Sequence, residues 1–289
     1  MAVPLTNLWS APDAVREVDL PMVLATPEPA VWLAGMGRGE RLGLNGRLET
    51  QALMGEPVVV VSERPGWAEV ELPLQQSRKG FRGYPGWVRR DHLVEPRFDI
   101  TAVASVSVLL VACRSEAGEP VELSYGTSLP LERPAGRGGP ALFRAPSGLL
   151  LEVPADALAP VPPSLVGVHT SALGFTGLAY LWGGCSGYGV DCSGFSHLVH
   201  RCAGIPVPRD AGDQSSAGSP VAASDALAGD LVFFARPGAE AHHVAFCSGD
   251  GRILHSPGTG QGVREEGLAG NGHHRELLPV GRRYAGCVT

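Results

Sequence analysis

The stretch Tyr180-Leu-Trp-Gly-Gly-Cys-Ser-Gly-Tyr-Gly-Val-Asp-Cys-Ser-Gly-Phe195 is a glycine-rich approach to a helix. Apolar residues then recur with the spacing of one helix face, at Phe195, Leu198, Val199 and Cys202. Asp191 is suited to cap this helix, so Cys192 would lie in the first turn, where free N–H groups and the helix dipole stabilise an anion. We therefore expect a thiolate at Cys192, the candidate nucleophile, and an inert core thiol at Cys202.

A cysteine nucleophile needs a base and a third group that orients the base. The patterns at 231–234, 242–247 and 252–256 predict three successive strands, and a hairpin between the last two can bring His243 and His255 onto one face. Alternation along a strand puts His242 and His243 on opposite faces, so only one of them can meet the thiol. The residues alone do not choose between these two histidines.

Composition limits the class of protein. A chain of 289 residues with 44% hydrophobic and 18% charged residues is globular and long enough for two or three units. Its 39 Gly and 25 Pro favour short strands and turns over a helical bundle. The net charge of -6 argues against nucleic acid and anionic lipid as partners, and no apolar run is long enough to span a membrane.

Cysteine use and the N-terminus bear on the compartment. Six cysteines are too sparse for a disulfide framework, so reduced thiols are expected. The first residues lack the basic and apolar regions of a signal peptide, which predicts a cytoplasmic protein. Export, with a signal lost upstream, is the alternative.

Three parts follow one another along the chain. Residues 1–96 show β-type runs at 56–62 and 67–72, a last strand following 83–88, and a helix over 32–44. Residues 97–160 are entirely of β type, with strands at 102–112, 129–132 and 149–153, and predict a small barrel. A proline-rich linker at 159–163 leads into the third part, 161–289, which carries the chemistry.

The third part resembles the NlpC-type, papain-like cysteine peptidases that act on bacterial cell-wall peptides. The resemblance rests on five segments in order: Asp-Cys-Ser-Gly-Phe at 191–195, Gly-Ile-Pro-Val-Pro-Arg-Asp at 204–210, Gly-Asp-Leu-Val-Phe-Phe at 229–234, His-His-Val-Ala-Phe at 242–246 and Ile-Leu-His-Ser-Pro at 253–257. It implies a helix bearing Cys192 packed on an antiparallel sheet. It also implies that His243 is the base and His255 the orienting group.

The N-terminal parts resemble more loosely the two bacterial SH3-like domains of a subgroup that cleaves γ-D-glutamyl-diaminopimelate bonds in free murein peptides. The resemblance is carried by 48–55, 83–88 and 124–130. It implies that Glu49, Tyr84 and Asp210 hold the free amine of an N-terminal L-Ala, because an ammonium entering a cleft needs acceptors in place of water. Four further residues would line the same pocket, namely Tyr180, Trp182, Asp191 and Ser193. Ala211 departs from the subgroup, which often has Ser there.

The resemblance thus implies a multidomain α+β chain of two small SH3-like β-barrels followed by a papain-like catalytic domain. Its expected activity is hydrolysis of the γ-D-Glu to diamino acid bond in a murein tri- or tetrapeptide with a free L-Ala amine. The protein would be a monomer and would require no metal or other cofactor.

Rival interpretations differ in class. A metal site from Cys185, Cys192, His243 and His255 matches no zinc spacing, and the glycine run at 258–262 lacks the Lys-Ser/Thr of a phosphate loop. The barrels could instead belong to a non-catalytic cell-wall binding module. The same papain-like fold could also perform amidase or acyl-transfer chemistry.

Overall fold

The structure is a computed structural model of the 289-residue chain, and it describes residues 1–95, 103–136, 139–270 and 276–285. Within these ranges, three antiparallel sheets follow one another along the chain, with a two-stranded ribbon in the last part. The domain boundary expected between 96 and 97 lies outside the described residues, as does Ala102. In the described part of the chain, no helix is long and apolar enough to cross a membrane.

The first sheet has five strands. They are β1 (Leu5–Trp9), β2 (Leu48–Leu53), β3 (Val59–Arg64), β4 (Trp67–Leu72) and β5 (Tyr84–Arg89). Their order is β2-β1-β5-β4-β3. The chain between β1 and β2 forms two short helices, α1 (Pro29–Gly35) and α2 (Arg38–Leu42). Trp32 of α1 is fully buried and donates its indole N–H to Asp19, 2.8 Å away, which ties α1 to the chain segment before it.

The prediction of one continuous helix over 32–44 is wrong, because the chain forms two separate helices there. Between α1 and α2 the backbone is extended at Met36 (φ -98°, ψ 118°) and at Gly37 (φ -77°, ψ -174°). Two successive extended residues interrupt the hydrogen bonds between residues four apart that a continuous helix needs. The strand expected at 56–62 begins only at Val59, because Glu56 turns inward to a buried ion pair with Arg201 (2.9 Å). The strand expected at 67–72 is confirmed as β4.

The second sheet has six strands in the order β6-β9-β10-β11-β7-β8, which are β6 (Val103–Ser105), β7 (Leu110–Ser115), β8 (Pro120–Ser124), β9 (Ser128–Arg133), β10 (Ala141–Arg144) and β11 (Leu150–Val153). The long strand expected at 102–112 is in fact β6 and β7. It breaks because the chain changes partners there: β6 pairs with β9, whereas β7 pairs with β8 and β11. Residues 159–163 belong to no helix or strand.

The last part combines three helices with the third sheet. The helices are α3 (Leu165–Leu173), α4 (Cys192–Cys202) and α5 (Ala211–Ser216). The ribbon consists of β12 (Cys185–Ser186) and β13 (Gly189–Val190). The sheet contains β14 (Ser219–Ala222), β15 (Leu231–Phe234), β16 (His243–Gly249), β17 (Arg252–His255), β18 (Arg264–Gly267) and β19 (Val280–Arg283). Its order is β14-β19-β15-β16-β17-β18, so β16 and β17 are neighbours.

Helix α4 begins where the sequence predicts. The Asp191 carboxylate accepts a hydrogen bond of 2.6 Å from the backbone N–H of Gly194, which confirms its capping role. The apolar face of α4 packs on the third sheet, where the rings of Phe195 and Phe246 meet edge to face at 5.1 Å. His197 and His200 are buried on this helix and do not face solvent. The helix therefore holds Cys192 beside β16, the strand that carries His243.

Candidate active site

A cleft of about 930 Å³ runs between the first sheet and the third part of the chain. Apart from His255, every site residue predicted from the sequence lines it: Glu49, Tyr84, Tyr180, Trp182, Asp191, Cys192, Ser193, Asp210 and His243. Residues of β2 and β5 thus share one cavity with residues of α4 and β16. The cleft contains two chemically distinct groups of side chains. The thiol end is Cys192 with His243, and the carboxylate end, which we also call the amine end, is Glu49, Tyr84 and Asp210.

Cys192 is half-buried at the N-terminus of α4. Its sulfur lies near the backbone N–H of Val244 on β16, the residue after His243. Burial, and then the neighbouring Asp191 carboxylate, raise the pKa of the thiol to about 12. Removal of water and the nearby negative charge thus oppose the thiolate expected at the helix terminus and favour the neutral thiol.

The two histidines of the predicted relay are in contact. His243 Nε2 lies 2.8 Å from His255 Nδ1, and both side chains are buried. Adjacent antiparallel strands place them together, since β16 pairs with β17 through Phe246 and Leu254. His242 precedes β16 and lies at the rim of the same cleft, with its side chain 41% exposed and its Nε2 3.3 Å from Glu276 Oε2. Of the two candidate bases, only His243 reaches His255.

A carboxylate that the sequence analysis missed continues this chain of contacts. His255 Nε2 lies 3.0 Å from Glu266 Oε1 on β18. Burial alone would raise the pKa of Glu266, but the hydrogen bond and charge of Arg264, together with His255 when it is protonated, outweigh burial and hold that pKa below its ordinary value. An ionised Glu266 can accept only, so His255 presents Nε2–H to it and leaves Nδ1 as the acceptor for His243.

At the other end of the cleft, three acceptors converge from distant parts of the chain. The Tyr84 hydroxyl lies 3.3 Å from Glu49 Oε2 and 3.1 Å from Asp210 Oδ1. A cation lies among them: Lys79 Nζ is 3.1 Å from Glu49 Oε2 and 3.2 Å from Asp210 Oδ2, and it hydrogen-bonds to the Tyr84 hydroxyl. The structure thus brings together the three residues predicted to hold an ammonium, and their present partner is a side chain of this protein.

Asp191 and Ser193 line the cleft, and both also accept hydrogen bonds from the buried side chain of Arg209. This guanidinium is fully buried, and its Nη1 and Nη2 donate to the two oxygens of the Asp191 carboxylate at 3.0 and 2.8 Å. It also donates to Ser193 Oγ at 3.1 Å and to Thr50 Oγ1 of β2 at 2.9 Å. A bidentate pair of this kind fixes geometry as well as charge. Arg209 therefore ties the α4 cap to the first sheet.

Two aromatic side chains line the cleft, and a group of buried hydrogen bonds joins the first sheet to the third part of the chain. Tyr180 is buried and Trp182 is 38% exposed, with ring centroids 6.3 Å apart. Gln51 of β2 accepts from the backbone N–H of Cys185 (3.0 Å) and from the hydroxyl of Ser186 (2.8 Å), so the joint is a buried polar network.

The rival metal interpretation finds no support in the geometry. Cys185 is fully buried, and its thiol points at the carbonyl oxygen of Gly194, 3.9 Å away. Among the residues that the structure describes, no three His, Cys, Asp or Glu side chains are grouped so as to hold a metal ion.

Comparisons with known proteins agree with this architecture. Residues 177–282 match the family described as NlpC/P60. A Bacillus subtilis protein named gamma-D-glutamyl-L-lysine dipeptidyl-peptidase is 38% identical over 296 residues, which cover 97% of this chain and 97% of that protein. A Bacillus cereus protein of the same name is 33% identical and covers 98% of this chain and 89% of that one. The crystal structure of an NlpC/P60 family protein from Bacillus cereus has a TM-score of 0.93 at 30% identity, with 99% of both chains covered.

Proposed function

Because this chain belongs to the NlpC/P60 family, we propose that it is a cysteine endopeptidase acting on the bond between the γ-carboxyl of D-Glu and a diamino acid in murein peptides. The observation that carries the proposal is the similarity to gamma-D-glutamyl-L-lysine dipeptidyl-peptidases over nearly the whole chain. That similarity includes the N-terminal sheets as well as the catalytic part. It therefore supports a substrate preference as well as a type of chemistry.

The relay geometry supports a mechanism that starts from a neutral thiol. Glu266 holds the proton of His255 on Nε2, so His255 Nδ1 accepts from His243 Nε2–H, and Nδ1 of His243, which lines the cleft, is the unprotonated nitrogen. His243 removes the Cys192 proton as sulfur attacks the γ-carbonyl carbon of D-Glu. The backbone N–H of Cys192, in the first turn of α4, is suited to stabilise the oxyanion.

The proton then returns in the same site. The imidazolium of His243 gives it to the amine of the diamino acid, the C–N bond breaks, and a thioester on Cys192 remains. His243 next takes a proton from water, whose oxygen attacks the thioester carbon. The carbon–sulfur bond then breaks and His243 returns its proton to the sulfur of Cys192. The carboxylic acid formed gives its proton to solvent, from which the released amine takes one up.

Recognition of a free amine is proposed for the carboxylate end. Glu49 and Asp210 supply charge and Tyr84 a phenol oxygen, which together match the three N–H donors of a primary ammonium. Tyr180 and Trp182 line the same cleft as these acceptors and Cys192. A peptide whose L-Ala amine is capped would leave two carboxylates without their cation, so polymer-linked stems are poor substrates.

Finer features of the architecture are part of the same proposal. The two N-terminal sheets are small and antiparallel, as SH3-like barrels are, and we assign the domains as 1–96, 97–160 and 161–289. The protein acts as a monomer in this proposal, because one chain supplies both ends of the cleft. Ala211, where a Ser hydroxyl is absent, begins α5 beside the amine end.

The experiment is mass spectrometry of products after incubation with L-Ala-γ-D-Glu-diaminopimelate and with its Lys analogue. Release of L-Ala-D-Glu is expected, and the ratio of the two rates identifies the preferred diamino acid. The Cys192→Ala variant serves as the control. Intact peptide after incubation with the wild-type protein would favour a binding module, and products that carry an added acyl acceptor would favour a transferase.

A further inference from the structure

The chain contains a single lysine among its 23 basic residues, and that lysine lies in the active-site cleft. Lys79 belongs to the segment between β4 and β5, and its ammonium contacts Glu49, Asp210 and Tyr84. It also lies 4.6 Å above the centre of the Tyr84 ring. All the other residues in the count of 23 Lys and Arg are arginines.

The ammonium of Lys79 and that of an N-terminal L-Ala are chemically equivalent. Both are primary alkylammonium ions with three N–H donors, unlike the planar fork of an arginine. Burial would lower the pKa of Lys79, but the hydrogen bond to Tyr84 and the charges of Asp210 and Glu49 raise it well above its ordinary value. Lys79 is therefore a full cation that satisfies the acceptors a substrate amine would use.

The two ammonium groups cannot share these acceptors. Three oxygens at hydrogen-bond distance satisfy one ammonium, and a second cation at that distance would be repelled by the first. The lysine side chain is 50% exposed, so it can rotate into solvent. The backbone around it can stay in place, because Arg78 N–H donates to Asp213 Oδ2 at 3.0 Å and Phe81 N–H to Glu71 Oε1 at 2.9 Å.

We propose that Lys79 is an internal competitor for the amine site, which the substrate's ammonium displaces and which returns after turnover. This inference rests on the proposed function, since it takes the carboxylate end to be the amine site. The product L-Ala-γ-D-Glu keeps its ammonium, so the return of Lys79 also promotes product release. Lys79 thus sets the concentration of peptide at which the enzyme works, and it keeps both carboxylates paired when no peptide is bound.

Competition gives a quantitative expectation. The affinity for a ligand falls by the fraction of protein in the binding-competent state. If Lys79 fills the site about nine-tenths of the time, Lys79→Met lowers the dissociation constant of L-Ala-γ-D-Glu by roughly tenfold. KM for the peptide substrate falls by a similar factor, and the rate of the chemical step is unchanged because Lys79 touches no reacting atom.

The test is calorimetric titration of wild-type, Lys79→Met and Arg82→Met proteins with L-Ala-γ-D-Glu and with its N-acetyl form. Arg82 is the matched control, since it lies on the same segment and carries the same charge but pairs with Glu71. We expect tighter binding of the free dipeptide to Lys79→Met and wild-type affinity in Arg82→Met. Equal or weaker binding to Lys79→Met would overturn the competitor role, and weaker binding would make Lys79 a ligand contact.

A second measurement reads the displacement directly. Protein labelled with ¹⁵N-lysine gives one side-chain ammonium signal, because there is one lysine. The free dipeptide should shift this signal to that of a solvent-exposed lysine, and the acetylated one should leave it unchanged. If the lysine signal does not move in a protein saturated with free dipeptide, the displacement of Lys79 is refuted, and the proposed function is unaffected. If the acetylated dipeptide binds as well as the free one, or neither binds, amine recognition in the proposed function fails, and the inference falls with it.

Discussion

The two ends of the cleft are built in opposite ways. At the thiol end, Cys192, His243, His255 and Glu266 all come from one part of the chain and lie on a helix and three strands that pack together. At the amine end, Glu49, Lys79 and Tyr84 come from the first sheet region and meet Asp210, which precedes α5 in the third part. The reactive end is therefore internal to one fold, whereas the recognition end exists only where two folds join.

The joint itself explains how a recognition end can be reliable. Arg209 and Gln51 cross from one part to the other and are fully buried, with the guanidinium reaching both Asp191 and Thr50. Separation of the two parts would leave the buried charge of Arg209 without one of its partners, which costs free energy. The two parts therefore keep a fixed relative position. Because Arg209 contacts the residue that caps α4, the position of Cys192 is coupled to the presence of the first sheet.

The largest expected effect lies at the thiol end. Cys192→Ala should reduce kcat/KM by roughly 10⁴-fold or more, since no other group on this surface replaces the nucleophile. Binding of L-Ala-γ-D-Glu by calorimetry should persist, because the amine end is untouched. Cys202→Ala is the matched control: its thiol points to the carbonyl oxygen of Val106, away from the cleft, and activity should survive. The reverse pattern, with Cys202 essential, would overturn the choice of nucleophile.

The next largest effect separates two adjacent histidines. His243→Ala should lower kcat by about 10³-fold or more, because the proton carrier of both half-reactions is lost. His242→Ala should change kcat little, since that side chain is half-exposed and pairs with Glu276 at the rim. Rates from single-turnover kinetics measure this difference free of product release. Similar losses in the two variants would mean that His243 is not the base.

What the sequence predicts follows the same division. Cys192 lies where the capping signal predicts, and strand alternation allowed His243 and His255 to share one face, but only the resemblance chose His243 over His242 as the base. Glu266 depends on the pairing of β17 with β18, where His255 lies opposite Arg264, and no local pattern gives that register. Lys79 and Arg209 have partners far away in the chain, and only the resemblance pointed to Glu49 and Tyr84. The resting state of the thiol also depended on burial, which the sequence does not reveal.

At the amine end, the effect should depend on the substrate as much as on the residue. N-acetylation of the peptide should lower kcat/KM by roughly 10³-fold, on the scale of sites that recognise a hydrogen-bonding group. Glu49→Gln should weaken turnover of the free peptide strongly and of the acetylated peptide hardly at all, because only the free peptide has a charge to lose. The four rate constants form a cycle whose coupling energy measures the contact. A coupling near zero would separate Glu49 from the amine and leave the peptidase assignment standing.

The smallest effect, and the one that best tests the relay, is expected for Glu266→Gln. The amide keeps the size of the side chain but removes the charge beside His255, so kcat/KM should fall by only about tenfold, a small part of what a general base contributes.

The direction of the pH effect of Glu266→Gln follows from the lost charge. An anion near the imidazoles stabilises their protonated forms, so its loss lowers the apparent pKa of the pair, and the acid limb of kcat/KM should move to lower pH. Because the pKa of Glu266 lies below its ordinary value, the carboxylate is ionised across that limb and does not itself titrate there. Arg252→Gln is the control, since Arg252 pairs with Glu265, which neighbours Glu266 on β18, and its loss should leave the limb in place. A Glu266→Gln enzyme with a lower rate but an unmoved acid limb would assign Glu266 a purely structural role.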